Sequence, residues 1–321
     1  MIISKTPLRI SFFGGGTDFE NFYKDYSGHI ISTTINKYIY ISLIKKFDKT
    51  MRVSYSSNEN PNKISQIQNP LIRETLKHFK LNESFELTST GDIPASNGLG
   101  SSSAYVVGLC NLLSHSKNKK MNKYNLANLA SHIEIDKCHS KIGVQDHYAA
   151  AFGGLNYIKL KKKISVKKLN IKKDILKELS NNLILIYTNK SHNSYEILKN
   201  QFRKNKTVEK IDLLKKMNNI TKEALAFLEK GNLSDFSNLL LESWEIKKKI
   251  NPKTTNILID NMYNKCIDLG AKSGKILGAG DGGFLMVYAD KKVQKKIKEN
   301  FKKNKILDFQ FTSSGSEVFT I

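Results

Sequence analysis

The chain contains little cysteine, little arginine and no long apolar run, and each shortage excludes a class of protein. Its three cysteines, Cys110, Cys138 and Cys266, have spacings that match neither a disulfide framework nor a metal-binding motif. No apolar run approaches the length of a membrane span, and Lys5 and Arg9 interrupt the N-terminus before a signal-peptide core could form. We therefore expect a soluble, cytoplasmic protein with no membrane partner.

Arginine is scarce although the chain is strongly basic. The formal net charge is +23, yet only four of the 52 basic residues are arginines. Lysine is spread along the whole chain, and the lysine-rich runs at 159–173 and 291–305 do not interleave aromatic side chains as single-strand nucleic-acid platforms do. We interpret these runs as solvated faces and expect no nucleic-acid partner, although a diffuse positive field attracts anionic substrates.

The length of 321 residues allows two domains, and we place them at 1–175 and 176–321. Alternating apolar residues predict strands at 2–13 and 30–44 in the first half, and the fold class is α+β. The second half is predicted to contain a strand at 183–187, helices near 194–203, 207–229, 233–250 and 254–269, strands near 275–277, 283–288 and 318–321, and a helix at 291–302 between the last two strands. The sequence shows no internal repeat and leaves a homodimer open.

Residues 94–104, Pro-Ala-Ser-Asn-Gly-Leu-Gly-Ser-Ser-Ser-Ala, form the most informative segment. Gly98 and Gly100 let the backbone approach a ligand closely, and the serines that follow lead into an apolar helix. The N-terminus of a helix favours anions, so the pattern indicates a phosphate-binding loop. The alternative is an ordinary serine-rich helix cap. No lysine follows Gly100, which excludes the P-loop motif that carries a lysine.

Two carboxylates follow this loop in largely apolar surroundings. Glu134 lies on a predicted amphipathic helix, and Asp146 precedes the small apolar run at 149–151. A carboxylate together with a serine hydroxyl is a sufficient protein contribution to a Mg²⁺ site, which would leave Asp146 free to act as a base. The alternatives are a surface glutamate on its helix and an aspartate that caps the next helix.

Three segments resemble the signature motifs of the GHMP kinases, the superfamily of galactokinase, homoserine kinase, mevalonate kinase and phosphomevalonate kinase. They are residues 7–19 (Pro-Leu-Arg-Ile-Ser-Phe-Phe-Gly-Gly-Gly-Thr-Asp-Phe), the phosphate loop, and residues 275–284 (Lys-Ile-Leu-Gly-Ala-Gly-Asp-Gly-Gly-Phe). The resemblance spans most of the chain. It implies an N-terminal domain similar to ribosomal protein S5 domain 2, a ferredoxin-like C-terminal domain, and an active site between them.

The resemblance also implies roles for individual residues. Asp146 stands at the position of the catalytic aspartate, and Arg9 is expected beside it, near the transferred phosphoryl group. A structural ion pair with some other carboxylate is the alternative for Arg9. Ser102 and Glu134 match the metal-ligating positions. The nucleotide-binding residues are Gly98, Gly100, Ser101, Ser102 and Ser103. The expected cofactors are ATP and Mg²⁺.

Sugar-binding residues are expected on both sides of the cleft. Asp18 matches the position that holds sugar hydroxyls, with an Asx turn as the alternative. The other predicted substrate-binding residues are Gly15, Gly16, Thr17, Gly280, Asp281, Lys190 and His192. Of these, Lys190 and His192 lie at a predicted helix start and would form a second anion site. The remaining histidines of interest, His139 and His147, are interpreted as surface or packing residues.

Within the superfamily, residues 13–19 and 145–154 look most like the sugar-1-kinase branch that includes D-glycero-D-manno-heptose 7-phosphate kinase. This resemblance implies ATP-dependent phosphorylation of the anomeric hydroxyl of that sugar phosphate, giving the 1,7-bisphosphate for a nucleotide-activated heptose of a capsule or surface glycan. One alternative is a kinase of an unphosphorylated sugar of the fucose or galactose type. Another is a catalytically silent sensor of sugar or nucleotide with the same fold.

Overall fold

The structure is a computed structural model, and it describes residues 1–81, 83–190 and 207–321. The described strands are β1 (Ile2–Phe13), β2 (Gly28–Lys45), β3 (Met51–Ser54), β4 (Asn58–Glu59), β5 (Phe85–Gly91), β6 (Asn156–Leu160), β7 (Ser165–Lys168), β8 (Leu183–Tyr187), β9 (Ser273–Ile276), β10 (Phe284–Tyr288), β11 (Ile306–Leu307), β12 (Phe311–Thr312) and β13 (Glu317–Thr320).

The described helices are α1 (Glu20–Tyr26), α2 (Pro70–His78), α3 (Ser101–Ser116), α4 (Lys123–Ser131), α5 (Gln145–Phe152), α6 (Lys173–Asn181), α7 (Val208–Lys230), α8 (Leu233–Ile250), α9 (Ile257–Asp268) and α10 (Lys291–Asn300). Short 3₁₀ turns occur at Ile64–Gln66 and Pro252–Thr254, and a π-helical turn at His132–Lys137 continues α4. None of the described helices is both long and apolar enough to cross a membrane.

A long antiparallel pair, β1 with β2, forms the centre of a nine-stranded sheet. From Thr6 onward every residue of β1 is buried, because α3 packs on one face of the strand and helices of the second half pack on the other. Because both faces are buried, the polar side chains in this part of the strand find partners within the protein: the hydroxyl of Thr6 pairs with that of Ser316, and the hydroxyl of Ser11 donates to Gln145. Arg9 is a buried charge in this strand, so it needs a partner within the protein.

The second half contains a four-stranded antiparallel sheet with the order β11-β8-β10-β9. Along the chain, helices separate β8 from β9, and α10 separates β10 from β11, which is the β-α-β-β-α-β arrangement of ferredoxin-like domains. The structure therefore confirms the predicted α+β fold with two parts.

The last strands correct one prediction. The segment near 318–321 was predicted to complete the second half, but β13 pairs with β1 and β12 pairs with β2 in the first sheet. Periodicity identifies a strand but not its partner, and here the partner is more than 270 residues away in the chain. Residues 1–175 and 176–321 remain our proposed division of the chain, with the final strands crossing back.

Three short helices, α1, α2 and α6, were missed by the sequence analysis. Helix α2 begins after Asn69, whose side chain accepts hydrogen bonds from the N–H groups of Leu71 and Ile72, and Pro70 opens the helix. This capping pattern can be recognised from the sequence alone. Helix α6 follows the lysine-rich run at 159–173, where no helix was predicted, and it is anchored by the buried side chain of Leu179. The predicted helix at 194–203 lies outside the described residues.

Helix α8 joins the two halves through one aromatic side chain. The ring of Phe236 packs edge-on against Phe12 and Phe13 of β1, with centroid distances of 5.7 and 5.0 Å. Phe236 is almost fully buried, so it contributes both apolar burial and aromatic contacts at the junction.

We expect Phe236→Ala to lower the free energy of unfolding by about 3–5 kcal/mol, because it leaves a cavity between β1 and α8. The matched control is Leu241→Ala on the same helix, whose side chain is exposed and whose loss should cost less than about 0.5 kcal/mol. Urea unfolding followed by circular dichroism measures both. A loss of about 1 kcal/mol or less for Phe236→Ala would contradict this account of the junction.

Candidate functional site

A cavity of about 1110 Å³ opens between the two halves. Its wall includes the phosphate loop, the polar end of β1, the start of α5 and the end of α8. Most of the predicted site residues line it: Arg9, Gly15, Gly16, Asp18, Gly98, Gly100, Ser101, Ser102, Ser103, Glu134 and Asp146. Residues that are distant in sequence are thus brought to one site.

The phosphate loop adopts a backbone that suits glycine. Gly98 and Gly100 have φ angles of +80° and +75°, and Gly100 is the residue that precedes α3. No side chain caps the helix, so the serines at 101–103 are its first three residues rather than its cap. The cap alternative is therefore wrong. Without a capping side chain, the first-turn N–H groups are available to an anion in the cavity.

The third glycine loop packs directly against the phosphate loop. A Cβ on Gly98 would lie 2.5 Å from the carbonyl oxygen of Leu277, and a Cβ on Gly278 would lie 2.5 Å from the Cα of Gly98. Gly283 has the same relation to the carbonyl oxygen of Asn97. Backbone therefore touches backbone at this junction, and no side chain can enter between the two loops.

Arg9 and Asp146 form a bidentate ion pair in the cavity wall. The Arg9 Nε and Nη2 atoms donate to the two carboxylate oxygens of Asp146 at 2.7 and 2.6 Å. The third guanidinium nitrogen, Nη1, donates to the carbonyl oxygen of Gly98 at 2.5 Å. The guanidinium thus links β1, α5 and the phosphate loop. This paired geometry is the strongest form of the arginine–carboxylate contact.

Neither structural alternative for this pair holds. Among the described residues, the carboxylate that pairs with Arg9 is Asp146, so the buried charge is satisfied at the cavity itself. Asp146 lies within α5, whose N-terminal cap is Val144 with no side-chain hydrogen bond, so Asp146 is not a helix cap. Its carboxylate is partly exposed to the cavity.

Glu134 is buried at the base of the phosphate loop. The π-helical turn directs its side chain inward, where the hydroxyl of Ser102 donates to Oε1. His147 contacts the other oxygen, Oε2, through Nε2 at 2.7 Å. The surface alternative for Glu134 is wrong. The two histidines were interpreted as surface or packing residues. His147 is fully buried and is therefore a packing residue, whereas His139 is exposed at the surface.

The Ser102–Glu134 contact suits a hard cation. Both side chains line the cavity, and their oxygens are of the type that Mg²⁺ prefers. A cation here would replace the hydrogen bond that now joins the two oxygens. No cluster of three or more His, Cys, Asp or Glu side chains that could hold a metal occurs in residues 1–81, 83–190 and 207–321. Phosphate oxygens and water are the further ligands that Mg²⁺ usually takes at such sites.

Asp18 is almost fully buried and faces the same cavity. Its Oδ1 accepts a hydrogen bond from the backbone N–H of Gly16 at 3.0 Å. An Asx turn would instead use the N–H two residues further on, so that alternative is not what the structure shows. Burial, followed by the charge of Asp146, raises the pKa of Asp18 from 3.8 to about 6.

Four predicted substrate-binding residues do not line the cavity. The hydroxyl of Thr17 donates to the carbonyl oxygen of Gly14, so its proton is already used in a hydrogen bond within that turn. Gly280 packs against the backbone of Thr254. Asp281 accepts hydrogen bonds from Lys190 at 2.8 Å and from Asn256 at 2.7 Å, and the Lys190–Asp281 pair lies off the cavity wall. His192 lies outside the described residues.

Three lysines in the wall were missed by the sequence analysis, namely Lys141, Lys247 and Lys275, and the amines of the last two are buried. Lys247 of α8 donates to the carbonyl oxygens of Gly278 at 2.7 Å and Ile276 at 3.1 Å. Lys275 of β9 donates to the carbonyl oxygen of Phe12 at 2.7 Å. Burial, then the charge of Arg9, lowers the pKa of Lys275 to about 7, and burial lowers that of Lys247 well below its usual value. In a chain with so many lysines, their sequence context did not distinguish them.

A further part of the wall is polar but carries no net charge. It includes Tyr55, Asn69 and Tyr105 together with the apolar side chains of Leu71 and Ile93. Such a surface suits the flat ring of a nucleobase better than a phosphate or a sugar. No sequence motif marked these residues, because they come from separate loops and from the side of α3.

We expect Asp18→Asn to raise the free energy of unfolding by up to about 3 kcal/mol at pH 8, because the folded state binds the Asp18 proton more tightly than the unfolded state does. A raised folded-state pKa makes the native protein lose stability as pH rises from about 4 to about 6. The gain should therefore shrink to about half at pH 5.

Urea unfolding at pH 5 and pH 8 tests this expectation. Asp25→Asn, which changes an exposed carboxylate, is the control and should leave stability nearly unchanged at both pH values. An equal gain for Asp18→Asn at both pH values would show that the charge of Asp18 is not the cause.

Comparisons with known proteins agree with this geometry. The family model "GHMP kinases N terminal domain" matches residues 67–154, and "GHMP kinases C terminal" matches residues 224–306. The chain is 32% identical to D-glycero-alpha-D-manno-heptose 7-phosphate kinase of Campylobacter jejuni, over 100% of this chain and 99% of that protein. It is 25% identical to mevalonate kinase of Methanocaldococcus jannaschii over 78% of each.

Solved structures show the same relationship. A D-glycero-D-manno-heptose 1-phosphate kinase from Bacteroides thetaiotaomicron is similar with a TM-score of 0.83 and 26% identity, covering 100% of this chain and 99% of that one. Streptococcus pneumoniae phosphomevalonate kinase has the same fold with a TM-score of 0.78 at 16% identity, over 97% and 100% of the two chains. Motifs, fold and both family models thus agree, and the chain belongs to the GHMP kinase family.

Proposed function

We propose that this ATP-dependent sugar kinase phosphorylates the anomeric O1 of D-glycero-D-manno-heptose 7-phosphate to give the 1,7-bisphosphate and ADP. The observation that carries the proposal is the bidentate Arg9–Asp146 pair, which is held against the phosphate loop in a cavity large enough for a nucleotide and a sugar. The full-length relative that is 32% identical supports the choice of sugar.

The nucleotide would bind with its phosphates on the loop and on the first turn of α3. Gly98 and Gly100 leave room for the phosphates, and the N–H groups of the first turn would hydrogen-bond their oxygens. The base would occupy the uncharged part of the wall beside Tyr55 and Tyr105. Ser102 and Glu134 would hold Mg²⁺, which neutralises charge on the phosphate oxygens when it is bound.

The acceptor would bind with its O1 hydroxyl at Asp146. One carboxylate oxygen of Asp146 would accept the O1 hydrogen bond and take the proton as the new O–P bond forms. Arg9 fixes the orientation of that carboxylate, and its permanent charge would stabilise the developing negative charge on the phosphoryl oxygens. Asp18 would accept hydrogen bonds from ring hydroxyls, with Gly15 and Gly16 leaving space for the sugar.

The product would enter a route to a nucleotide-activated heptose for a capsule or surface glycan, and we place the reaction in the cytoplasm, where ATP is available. The similarity to heptose 7-phosphate kinase supports this route.

The substrate is tested by measuring ADP release from Mg²⁺-ATP with heptose 7-phosphate, mannose 6-phosphate, mannose, fucose and galactose. We expect turnover of the heptose phosphate that exceeds all the others by at least ~100-fold in kcat/KM, which corresponds to two or more specific polar contacts. Preferred turnover of a free sugar would make the protein a kinase of the fucose or galactose type. Binding of ATP and sugar with no ADP formed would indicate a silent sensor.

We expect Asp146→Asn to lower kcat by at least ~100-fold, the scale of general-base catalysis, because the amide cannot accept the O1 proton. ATP affinity, measured by calorimetry, should stay within about threefold, since Asp146 does not belong to the nucleotide part of the wall. Asp136→Asn, which changes an exposed aspartate near Glu134, is the control and should retain full activity. A near-normal kcat for Asp146→Asn would remove this residue from the mechanism.

A further inference from the structure

The cavity wall contains more positive charge than the phosphoryl-transfer chemistry uses. Four basic side chains line it, namely Arg9, Lys141, Lys247 and Lys275, and of these Arg9 is paired with Asp146. Lys247 and Lys275 are the two buried amines. The hydrogen bonds of the two lysines end on backbone carbonyl oxygens. Within the part of the chain that the structure describes, neither amine forms a salt bridge. Burial without a counter-charge disfavours the protonated forms of two such amines, and an anion bound between them would remove that cost.

The positions of the two amines point to the acceptor part of the cavity. Lys275 lies in β9 and reaches across to the carbonyl oxygen of Phe12, immediately before the glycine turn that leads to Asp18. Lys247 lies in the last turn of α8 and reaches the carbonyl oxygen of Gly278. Gly278 belongs to the third glycine loop and also packs against Gly98, so Lys247 lies where the acceptor part of the cavity adjoins the phosphate loop. The uncharged base-binding part of the wall is formed by different elements, namely the 55–71 segment and α3.

The geometry assigns Lys247 and Lys275 as a phosphate-binding subsite for the acceptor, which would hold the phosphomonoester that the sugar already carries. This inference rests on the proposed function, since it concerns the same cavity and the same acceptor. It differs from the sequence-based prediction, which placed the second anion site at Lys190 and His192. Lys190 instead pairs with Asp281 off the cavity wall.

The lowered pKa values of both lysines fit this assignment. Burial is the largest cause for each, and Arg9 lowers both further by repulsion. A phosphate dianion between the two amines would supply the opposite charge and favour their protonated forms. The carbonyl contacts of Lys247 and Lys275 would then fix the amines in position, so little side-chain entropy is lost when the phosphate binds.

The assignment is tested with Lys247→Met and Lys275→Met in the full chain. Each should raise KM for heptose 7-phosphate by about 10- to 100-fold, the usual effect of losing one charge-assisted hydrogen bond. KM for ATP should remain within about threefold, and kcat at saturating sugar phosphate should change little. Unphosphorylated heptose has no phosphate for this subsite to bind, so its turnover should be nearly unaffected by either change.

Lys248→Met is the matched control. Lys248 is the neighbouring residue in α8 but pairs with Glu245 outside the cavity, so its loss should leave all kinetic constants unchanged. Circular dichroism and thermal unfolding verify that each variant is folded. If both variants fail to fold, the wild-type enzyme can still overturn the assignment, because equal KM values for free heptose and heptose 7-phosphate would show that no subsite binds the acceptor phosphate.

The outcomes separate this inference from the proposed function. If the wild-type enzyme is active on heptose 7-phosphate but both variants retain its KM, the subsite is wrong and the proposed function stands. If the variants lose kcat equally with phosphorylated and free heptose, the lysines serve the transferred phosphoryl group instead, which also overturns the assignment. If the wild-type enzyme prefers a free sugar, the proposed function itself fails.

Discussion

The backbone contact between the phosphate loop and the third glycine loop is the constraint on which the rest of the site depends. Gly98 and Gly278 are so close that either Cβ would overlap the other loop. The contact brings the first half, which carries Arg9, Asp146 and Glu134, against the second half, which carries Lys247 and Lys275. Neither half alone encloses the cavity, so the juxtaposition of these five charged side chains depends on this close approach.

The Arg9 guanidinium connects the phosphate loop to the residue that is proposed to act as the base. It occupies a strand whose other residues around it are buried, and its three contacting nitrogens bond to Asp146 and to the carbonyl oxygen of Gly98. A shift of the phosphate loop would therefore also shift the carboxylate that is proposed to take the acceptor proton. Positioning and charge neutralisation, rather than covalent chemistry, account for most of the catalysis in phosphoryl transfer.

The sequence was sufficient to predict the parts of the site that lie in glycine motifs. Gly98, Gly100 and the serines at 101–103 could be identified because the turn and the helix start impose residue types. Asp146 and Arg9 followed from the family resemblance, and the structure shows that they meet. Lys247 could not be found, because one lysine among many on an amphipathic helix carries no local signal. The pairing of β13 with β1 could not be predicted either, since the alternation of apolar residues in a strand does not depend on which strand it pairs with.

The return of β12 and β13 to the first sheet has a consequence for how the polypeptide acquires its structure as it is made. The central strands β1 and β2 are synthesised early, yet each lacks a neighbour until residues 311–320 leave the ribosome. During that interval the β1 edge that β13 will cover has unpaired backbone N–H and C=O groups, and such an edge is open to wrong pairing or to chaperones. The first sheet is thus completed only after the ferredoxin-like sheet has been synthesised, although it begins at the first residues of the chain.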